Sequence, residues 1–193
     1  MIHPHTELVF ITERVGYGVV ATRFIPRGTI TWVQDTFDQV FAAERASMLE
    51  GVHRELLAKY GYKDVNGDMI LCWDHARFVN HSCDPSCLSP GYNFEISVRD
   101  IQPGEQLTDD YATLNLDDPF ECYCGMASCR GVVRPADPSH LADGWDGSLA
   151  DSFPLILSVK QPLWDLVQER DVIQNVISGG AALASCRVNF VGV

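Results

Sequence analysis

Four cysteines have the side chains and the spacing to hold a metal ion. Cys122, Cys124 and Cys129 lie within a run of eight residues, and Cys83 lies well upstream. Thiolates are preferred zinc ligands, and a structural zinc site takes four ligands in a tetrahedron. We therefore predict a zinc ion held by these four cysteines, with Cys87 as the substitute ligand if Cys83 is not one. Because four thiolates leave no open position, this zinc would stabilise the fold and would not be a catalyst.

Three further segments have distinctive sequences. Arg-Phe-Val-Asn-His-Ser-Cys-Asp-Pro stands at residues 77–85, Gly-Glu-Gln-Leu-Thr-Asp-Asp-Tyr at residues 104–111, and Gly-Tyr-Gly at residues 16–18. The cysteine-rich stretch ends in Cys-Arg-Gly at residues 129–131. In this order the segments resemble a SET-domain protein-lysine methyltransferase that carries a post-SET zinc-binding segment. The resemblance covers about residues 7–131, and it implies methylation of lysine side chains.

The resemblance also implies S-adenosyl-L-methionine as the cofactor. In SET domains a Gly-x-Gly turn brings the backbone close to the methionine portion of this cofactor, and the dihedral freedom of glycine is compatible with that approach. The Asn-His pair of the family binds the cofactor through its backbone and the Asn side chain. Phe120 and Tyr123 are either covers of the adenine or ordinary packing residues. The other cofactor-binding residues implied by the resemblance are Gly16, Tyr17, Gly18, Arg77, Asn80, His81 and Tyr111.

Tyr111 matches the family tyrosine that lines the channel joining the substrate lysine to the cofactor. We expect it to be the catalytic residue, with its hydroxyl orienting the amine, and not a general base, because an unperturbed tyrosine is protonated near neutral pH. Asp109 stands where the family often has Phe or Tyr, and residues two apart on a strand share a face. It either enters the substrate channel and attracts the ammonium, or a bulge turns it towards solvent.

One residue departs from the family signature. Ser86 replaces the Asn that usually closes the segment at residues 77–85. In the family this Asn supports a knot-like crossing of the segment under a later strand. We expect the replacement to affect stability more than chemistry.

The leading functional hypothesis is S-adenosylmethionine-dependent methylation of lysines in a basic protein, either histone-like or ribosomal. The formal net charge of −12 argues against direct nucleic-acid binding, which needs clustered Lys and Arg, and an acidic protein steers basic partners. The alternative is a non-catalytic, zinc-stabilised SET-like module that binds proteins, because fold alone does not establish activity. Asn80, His81 and Tyr111 at their expected positions favour the enzyme.

The chain has the composition of an intracellular protein. It has no run of eighteen apolar residues and no basic, apolar signal segment at its start, so we expect no membrane span. Seven cysteines, an odd number, suit metal binding in a reducing compartment better than disulfides. We expect a soluble protein of the cytoplasm or nucleus, or a secreted effector.

The strand patterns predict a mainly β fold with an inserted helix, the SET fold of short strands, small sheets and a knot-like crossing, followed by a C-terminal helical extension. Strands are expected at residues 8–11, 19–24, 30–34, 69–73 and 94–98. One amphipathic helix is expected from Ala42 to Tyr60, ended by a left-handed Gly61, and another from Leu163 to Ile177, with Pro162 in its first turn and Gly179 at its end. The domains expected are a SET domain at residues 1–118 with an insert at about 38–68, a post-SET zinc segment at 119–131, and a polar linker with a helical extension at 132–193.

Overall fold

The computed structural model describes residues 1–191, which form short strands arranged in small sheets, with four α-helices. The strands are β1 (Thr6–Thr12), β2 (Gly16–Ala21), β3 (Ile30–Val33), β4 (Gln39–Phe41), β5 (Tyr62–Lys63), β6 (Met69–Leu71), β7 (Asn80–His81), β8 (Cys87–Leu88), β9 (Phe94–Ser97), β10 (Thr108–Asp109), β11 (Phe120–Glu121) and β12 (Val132–Val133). The helices are α1 (Ala43–Ser47), α2 (Gly51–Tyr60), α3 (Pro138–Ser152) and α4 (Arg170–Ile177). This architecture confirms the predicted fold class.

Each predicted strand is present, because β-branched and aromatic side chains alternate or cluster between glycine and proline turns. β1 and β2 pair in an antiparallel hairpin. β9 is the central strand of the sheet ordered β3-β9-β8, and a second sheet is ordered β4-β6-β5. The two distinctive segments meet in a parallel pair, β7 with β10, in which Asn80 faces Thr108 and His81 faces Asp109.

The insert does not contain the single helix that we predicted from Ala42 to Tyr60. It contains α1 and α2, and the helix breaks because Gly51 has a φ of +55°, which is outside the right-handed helical region. The apolar stripe is also less buried than expected, since Leu57 is the buried residue of α2. The prediction of a left-handed Gly61 is wrong as well, because its φ is −90°. A Cβ at Gly61 would lie 2.7 Å from the Leu57 carbonyl oxygen, so close packing is what requires glycine there.

The stretch predicted as a polar linker is largely helix α3. Its buried residues Ala142, Trp145 and Leu149 follow helical spacing and belong to the same hydrophobic core as Phe94 on β9. Glycines and aspartates on the remaining positions concealed this pattern, since both have low helix propensity. The C-terminal region is therefore packed into the core of the molecule.

The second predicted helix is shorter than expected. Leu163 and Val167 are buried, but a 3₁₀ turn at Trp164–Leu166 precedes α4, so Pro162 does not lie in the helix's first turn. Gly179 does terminate α4, with a φ of +82° and its backbone N–H donating to the Val176 carbonyl. Within residues 1–191, no helix combines the length and the apolar character that a membrane crossing requires.

Two glycines have nearly the same positive φ but differ in whether the C-terminal region packs against them. Gly28 and Gly104 have φ values of +85° and +83°, but a Cβ at Gly28 would lie 2.5 Å from the Leu155 Cβ, whereas one at Gly104 would meet open space. Gly104→Ala should cost about 1–2 kcal/mol of unfolding free energy from backbone strain alone. Gly28→Ala should cost about 1–3 kcal/mol more because of overpacking. Equal losses in urea unfolding would show that this contact is not tight.

Candidate functional site

Pairing of β7 with β10 places the two distinctive segments side by side. Ser82 donates its backbone N–H to the Asp109 carbonyl at 2.9 Å, and Ser86 donates its own to the Thr108 carbonyl at 3.1 Å. The Ser86 hydroxyl accepts from the Thr108 N–H at 2.9 Å, and Ser86 is fully buried. The serine that replaces the usual Asn therefore still ties the crossing segment to β10.

The four predicted zinc ligands converge. The sulfurs of Cys83, Cys122, Cys124 and Cys129 all lie within 4.8 Å of one another, and the Cys83 and Cys122 sulfurs are 3.7 Å apart. Sulfurs bound at about 2.3 Å to a tetrahedral zinc lie about 3.8 Å apart, so these residues fit the ion. Cys87 is buried outside the group.

Hydrogen-bond donors surround the sulfurs as they do in zinc–thiolate sites. The backbone N–H groups of Arg130 and Gly131 point at the Cys83 and Cys129 sulfurs, at 3.4 Å and 3.5 Å. His81 Nε2 lies 3.4 Å from the Cys83 sulfur. Such partners orient ligands and stabilise the negative charge of thiolates.

Arg130 joins the cysteine-rich segment to the turn that carries Tyr111. Its guanidinium donates two hydrogen bonds to the Asp110 carboxylate, at 2.7 and 2.8 Å. Asp110 is 1% exposed and also accepts from the Ala112 N–H, which begins the 3₁₀ turn Tyr111–Leu114. The sequence analysis included Arg130 in the Cys-Arg-Gly motif but assigned no role to its side chain. A bidentate, charge-assisted pair of this kind fixes both segments in register.

His81 positions Tyr111 from the other side. Its Nδ1 accepts the Tyr111 backbone N–H at 3.1 Å, which leaves the ring proton on Nε2, facing Cys83. Burial lowers the pKa of His81 to about 4. The neutral ring packs against Tyr111 and Phe120, with centroids 5.5 and 5.4 Å away.

Tyr111 lines two cavities, as do Lys59, Tyr60 and Arg77. Its hydroxyl donates to the Val79 carbonyl at 2.7 Å, and burial raises the pKa of this phenol above its ordinary value. The hydroxyl is therefore protonated and held by the backbone. Its neighbour Asp110 caps the 3₁₀ turn, so the strand ends before Tyr111 and the expected strand alternation from 109 to 111 is not realised.

The smaller cavity, of about 370 Å³, brings together most of the predicted cofactor-binding residues. Gly18 lies beside it, where a Cβ would come within 2.6 Å of the Asn80 amide nitrogen. That amide donates hydrogen bonds to the Tyr17 carbonyl at 3.1 Å and to the Gln106 side-chain oxygen. The sequence analysis did not identify Gln106 as a residue of this site. The Arg14 guanidinium stacks on the Tyr123 ring at 4.2 Å. The predicted residues that line this cavity are Gly16, Tyr17, Arg77, Asn80, His81, Tyr111, Phe120 and Tyr123.

The larger cavity, of about 650 Å³, is lined by Asp109 and Tyr111. Asp109 is 4% exposed, so the alternative in which a bulge turns it to solvent is wrong. Glu95, which sequence reasoning missed, lines the same cavity and lies close enough to Asp109 that its charge raises the pKa of Asp109. The available signal was a charged residue between Phe94 and Ile96 in a strand that proves to be central in its sheet.

Burial controls the ionisation of this carboxyl pair. It raises the pKa of Glu95 to about 7. It raises the pKa of Asp109 well above the ordinary value, with further increases from the charges of Glu95 and Asp110. Both carboxyl groups therefore hold a proton more tightly than exposed acids do.

The zinc assignment predicts a stoichiometry that depends on particular cysteines. The native protein should contain one zinc ion per chain, and Cys129→Ser should lose it and melt at a lower temperature, because one thiolate of the closed site is gone. Cys87→Ala should keep its zinc. The measurement is elemental analysis of chelator-free protein combined with thermal unfolding, and full zinc retention in Cys129→Ser would contradict the assignment.

The Glu95 pKa predicts a pH-dependent stability. Glu95 binds its proton more tightly in the folded protein than in the unfolded chain. Its contribution to the free energy of unfolding is therefore complete below about pH 4.5 and is lost as the pH rises towards 7. The Tm of the native protein, relative to Glu95→Gln, should therefore fall between about pH 5 and pH 8. A shift of about 2–4 °C corresponds to 1 kcal/mol in a chain of this length. Exposed Asp165→Asn is the control, and a constant difference between the native and Glu95→Gln proteins would refute the shifted pKa.

Comparison with known proteins agrees with this site. The SET domain family model matches residues 16–112. The chain is 31% identical over 138 residues to histone-lysine N-methyltransferase Set2 of Drosophila melanogaster, covering 65% of this chain and 6% of that protein. It is 29% identical over 203 residues to histone-lysine N-methyltransferase ASHH3 of Arabidopsis thaliana, covering 94% and 53%.

A third relative is an H3 lysine-36 specific histone-lysine N-methyltransferase of Mycosarcoma maydis, 29% identical over 168 residues, with 78% of this chain and 16% of that protein covered. The chain thus spans about half or less of the length of these relatives. The family match includes the Gly-Tyr-Gly turn, the Asn80–His81 strand and Tyr111. The chain belongs to the SET domain family.

Proposed function

We propose that this protein transfers a methyl group from S-adenosyl-L-methionine to lysine side chains of a basic protein. The observation that carries this proposal is that Tyr111, the tyrosine matched to the family's channel residue, lines both cavities. On one side lie the residues that the family resemblance assigns to the cofactor, and on the other lies a cavity with carboxyl groups suited to an amine. Two reactants bound on opposite sides of one residue can be aligned for direct transfer.

The residues of the smaller cavity fit the cofactor. The close approach of β2 to Asn80 depends on Gly18, and Phe120 and Tyr123 offer aromatic surface for an adenine ring. The cofactor, when bound, supplies an activated methyl group. The zinc held by the four cysteines has a structural role in this proposal, because it shapes the segment that carries Phe120 and Tyr123.

The chain's own residues align the amine and keep it in place. Tyr111 presents a protonated hydroxyl, held by the Val79 carbonyl, where an amine would pass from the larger cavity towards the smaller one. His81 and Asp110 hold the turn that carries Tyr111. Lysine is almost fully protonated in neutral water, so the site must also permit loss of a proton.

The proposed substrate is a histone-like tail, with basic ribosomal proteins as the second class. The names of the three relatives specify histone lysines, and one of them specifies lysine 36 of histone H3. The net charge of −12 favours encounter with basic proteins. An intracellular location, nuclear or cytoplasmic, forms part of this proposal.

The experiment is incubation with labelled S-adenosylmethionine and recombinant histones, nucleosomes or fractionated ribosomal proteins, followed by mass spectrometry. Labelled lysine in a histone supports the proposal, and label in a ribosomal protein alone changes the substrate class. Binding of S-adenosylmethionine with no transfer to any of these proteins would favour the non-catalytic binding module instead.

Tyr111→Phe separates alignment of the reactants from binding. Loss of the hydroxyl should reduce kcat on the order of 100-fold, as removal of a positioned donor does in other enzymes, with little change in cofactor affinity. Asn80→Ala should instead weaken cofactor binding, since its amide holds the backbone of the cofactor turn. Single-turnover rates and calorimetric cofactor titration measure the two effects. Unchanged turnover in Tyr111→Phe would remove it from the mechanism.

A further inference from the structure

Glu95 and Asp109 form a buried acidic pair on the substrate side of Tyr111. Glu95 lies on the central strand β9, and Asp109 ends β10. Both acids line the larger cavity with Tyr111, and they are close enough that the charge of Glu95 raises the pKa of Asp109. Two carboxyl groups that interact in this way titrate as a pair, and the pair carries one negative charge when it is singly ionised.

Four basic residues line the same cavity, Arg54, Lys59, Lys63 and Arg77, but they form no ion pair with the two acids. Among the ion pairs formed by residues 1–191, none involves Glu95 or Asp109. The nearest acid, Asp110, is already paired with Arg130. The two acids also act on four nearby phenols and thiols, whose pKa values burial raises, so these groups stay neutral: Tyr62, Cys72, Cys87 and Tyr111.

Unpaired polar groups line the same cavity. The Thr31 hydroxyl is on a residue that is 1% exposed and makes no conventional hydrogen bond, approaching only the weakly interacting Cys87 sulfur. The indole nitrogen of Trp32 is also buried without a partner in the described structure. Buried polar atoms are nearly always satisfied, so these groups indicate that the cavity receives a polar occupant.

We propose that the Glu95–Asp109 pair binds the ammonium group of the substrate lysine and accepts one of its protons before methyl transfer. This inference rests on the proposed function. An N–H bond of the ammonium breaks, its electrons remain on nitrogen as the lone pair that methyl transfer requires, and the proton moves to the ionised carboxylate. The pair then holds two protons and is neutral, and the second proton leaves to water through the open cavity.

The interaction between the two carboxyl groups explains why the pair can accept a proton from the substrate ammonium as well as bind it. A single exposed carboxylate would stabilise the ammonium and oppose its deprotonation. In the pair, burial raises the pKa values of both carboxyl groups, and the charge of Glu95 raises that of Asp109 further. A general base works best when its pKa lies near the working pH. Because the pair is neutral after it accepts the proton, it does not hold back the free amine.

The first test uses n-butylammonium, a lysine side-chain mimic, and needs no methyl transfer. With ¹³C-labelled Asp and Glu carboxyl groups, zinc-loaded native protein should show carboxyl signals that titrate together above the other acids and shift on addition of n-butylammonium. n-Butanol should cause no such shift. Glu95→Gln/Asp109→Asn should lose the response, and the exposed-site control Asp165→Asn should keep it. Equal responses to the alcohol, or in the double variant, would overturn the proposal.

The second test measures the pH profile of single-turnover methylation of recombinant histone H3. The double variant should lose about 10²–10⁴-fold in rate near neutral pH, and its rate should rise about tenfold per pH unit towards the pKa of lysine, because the free amine must then come from solution. The rate of the native protein should level off at a lower pH than the rate of the double variant. Substituting the more acidic aminoethylcysteine for the target lysine should rescue the variant.

A loss by the same factor at every pH, without rescue, would show a merely structural role and overturn the proton-accepting step. Zinc content and Tm, with Glu95→Gln as a milder variant, control for folding. If the native protein transfers no methyl group to histones or other basic proteins, the proposed function fails. Binding of n-butylammonium would still decide whether the pair is an ammonium site.

Discussion

The buried ion pair between Arg130 and Asp110 connects the parts of this molecule that its chemistry requires. Arg130 belongs to the cysteine-rich segment, and its backbone N–H also faces the Cys83 sulfur. Asp110 caps the turn that begins with Tyr111. Removing Arg130 costs about 3–5 kcal/mol, because the buried Asp110 carboxylate is left without its cation. The pair therefore connects the cysteine-rich segment to the turn that carries Tyr111, which lines both cavities.

The two cavities differ in the chemistry that they offer. The smaller is formed by a glycine turn, aromatic rings and the Asn80–His81 strand, with a neutral histidine. The larger is lined by several charged residues, and among them Glu95 and Asp109 have raised pKa values and form no ion pair with a described cation. Burial of these acids lowers stability above their ordinary pKa values. A cost of this kind is typical of functional sites, where groups are kept in perturbed states for use.

Sequence reasoning identified the residues whose roles depend on local motifs. The four cysteines, the Asn80–His81 strand and Tyr111 are each recognisable within a few neighbouring positions, and the structure brings them together as expected. Glu95 was missed because its role depends on a contact with β10 that no local pattern encodes. The sequence allowed the Asp109 side chain to enter the substrate channel or to face solvent, and its burial excludes the solvent-facing alternative.

The helical predictions failed where local and long-range signals disagree. In α3, glycines and aspartates hide a buried stripe that is defined by contact with the β9 core. In the insert, a positive φ at Gly51 divides a stripe that otherwise has continuous helical spacing. Both outcomes follow the general rule that tertiary packing overrides weak propensities.

The most direct test of the account is a crystal structure with S-adenosylhomocysteine and a lysine-bearing histone H3 peptide bound together. The account predicts the adenosyl group in the smaller cavity beside Asn80 and Phe120. The lysine nitrogen should lie beside Tyr111, within hydrogen-bonding distance of the Glu95–Asp109 pair. Density for the adenosyl group in the larger cavity, or a lysine nitrogen remote from Tyr111, would contradict it.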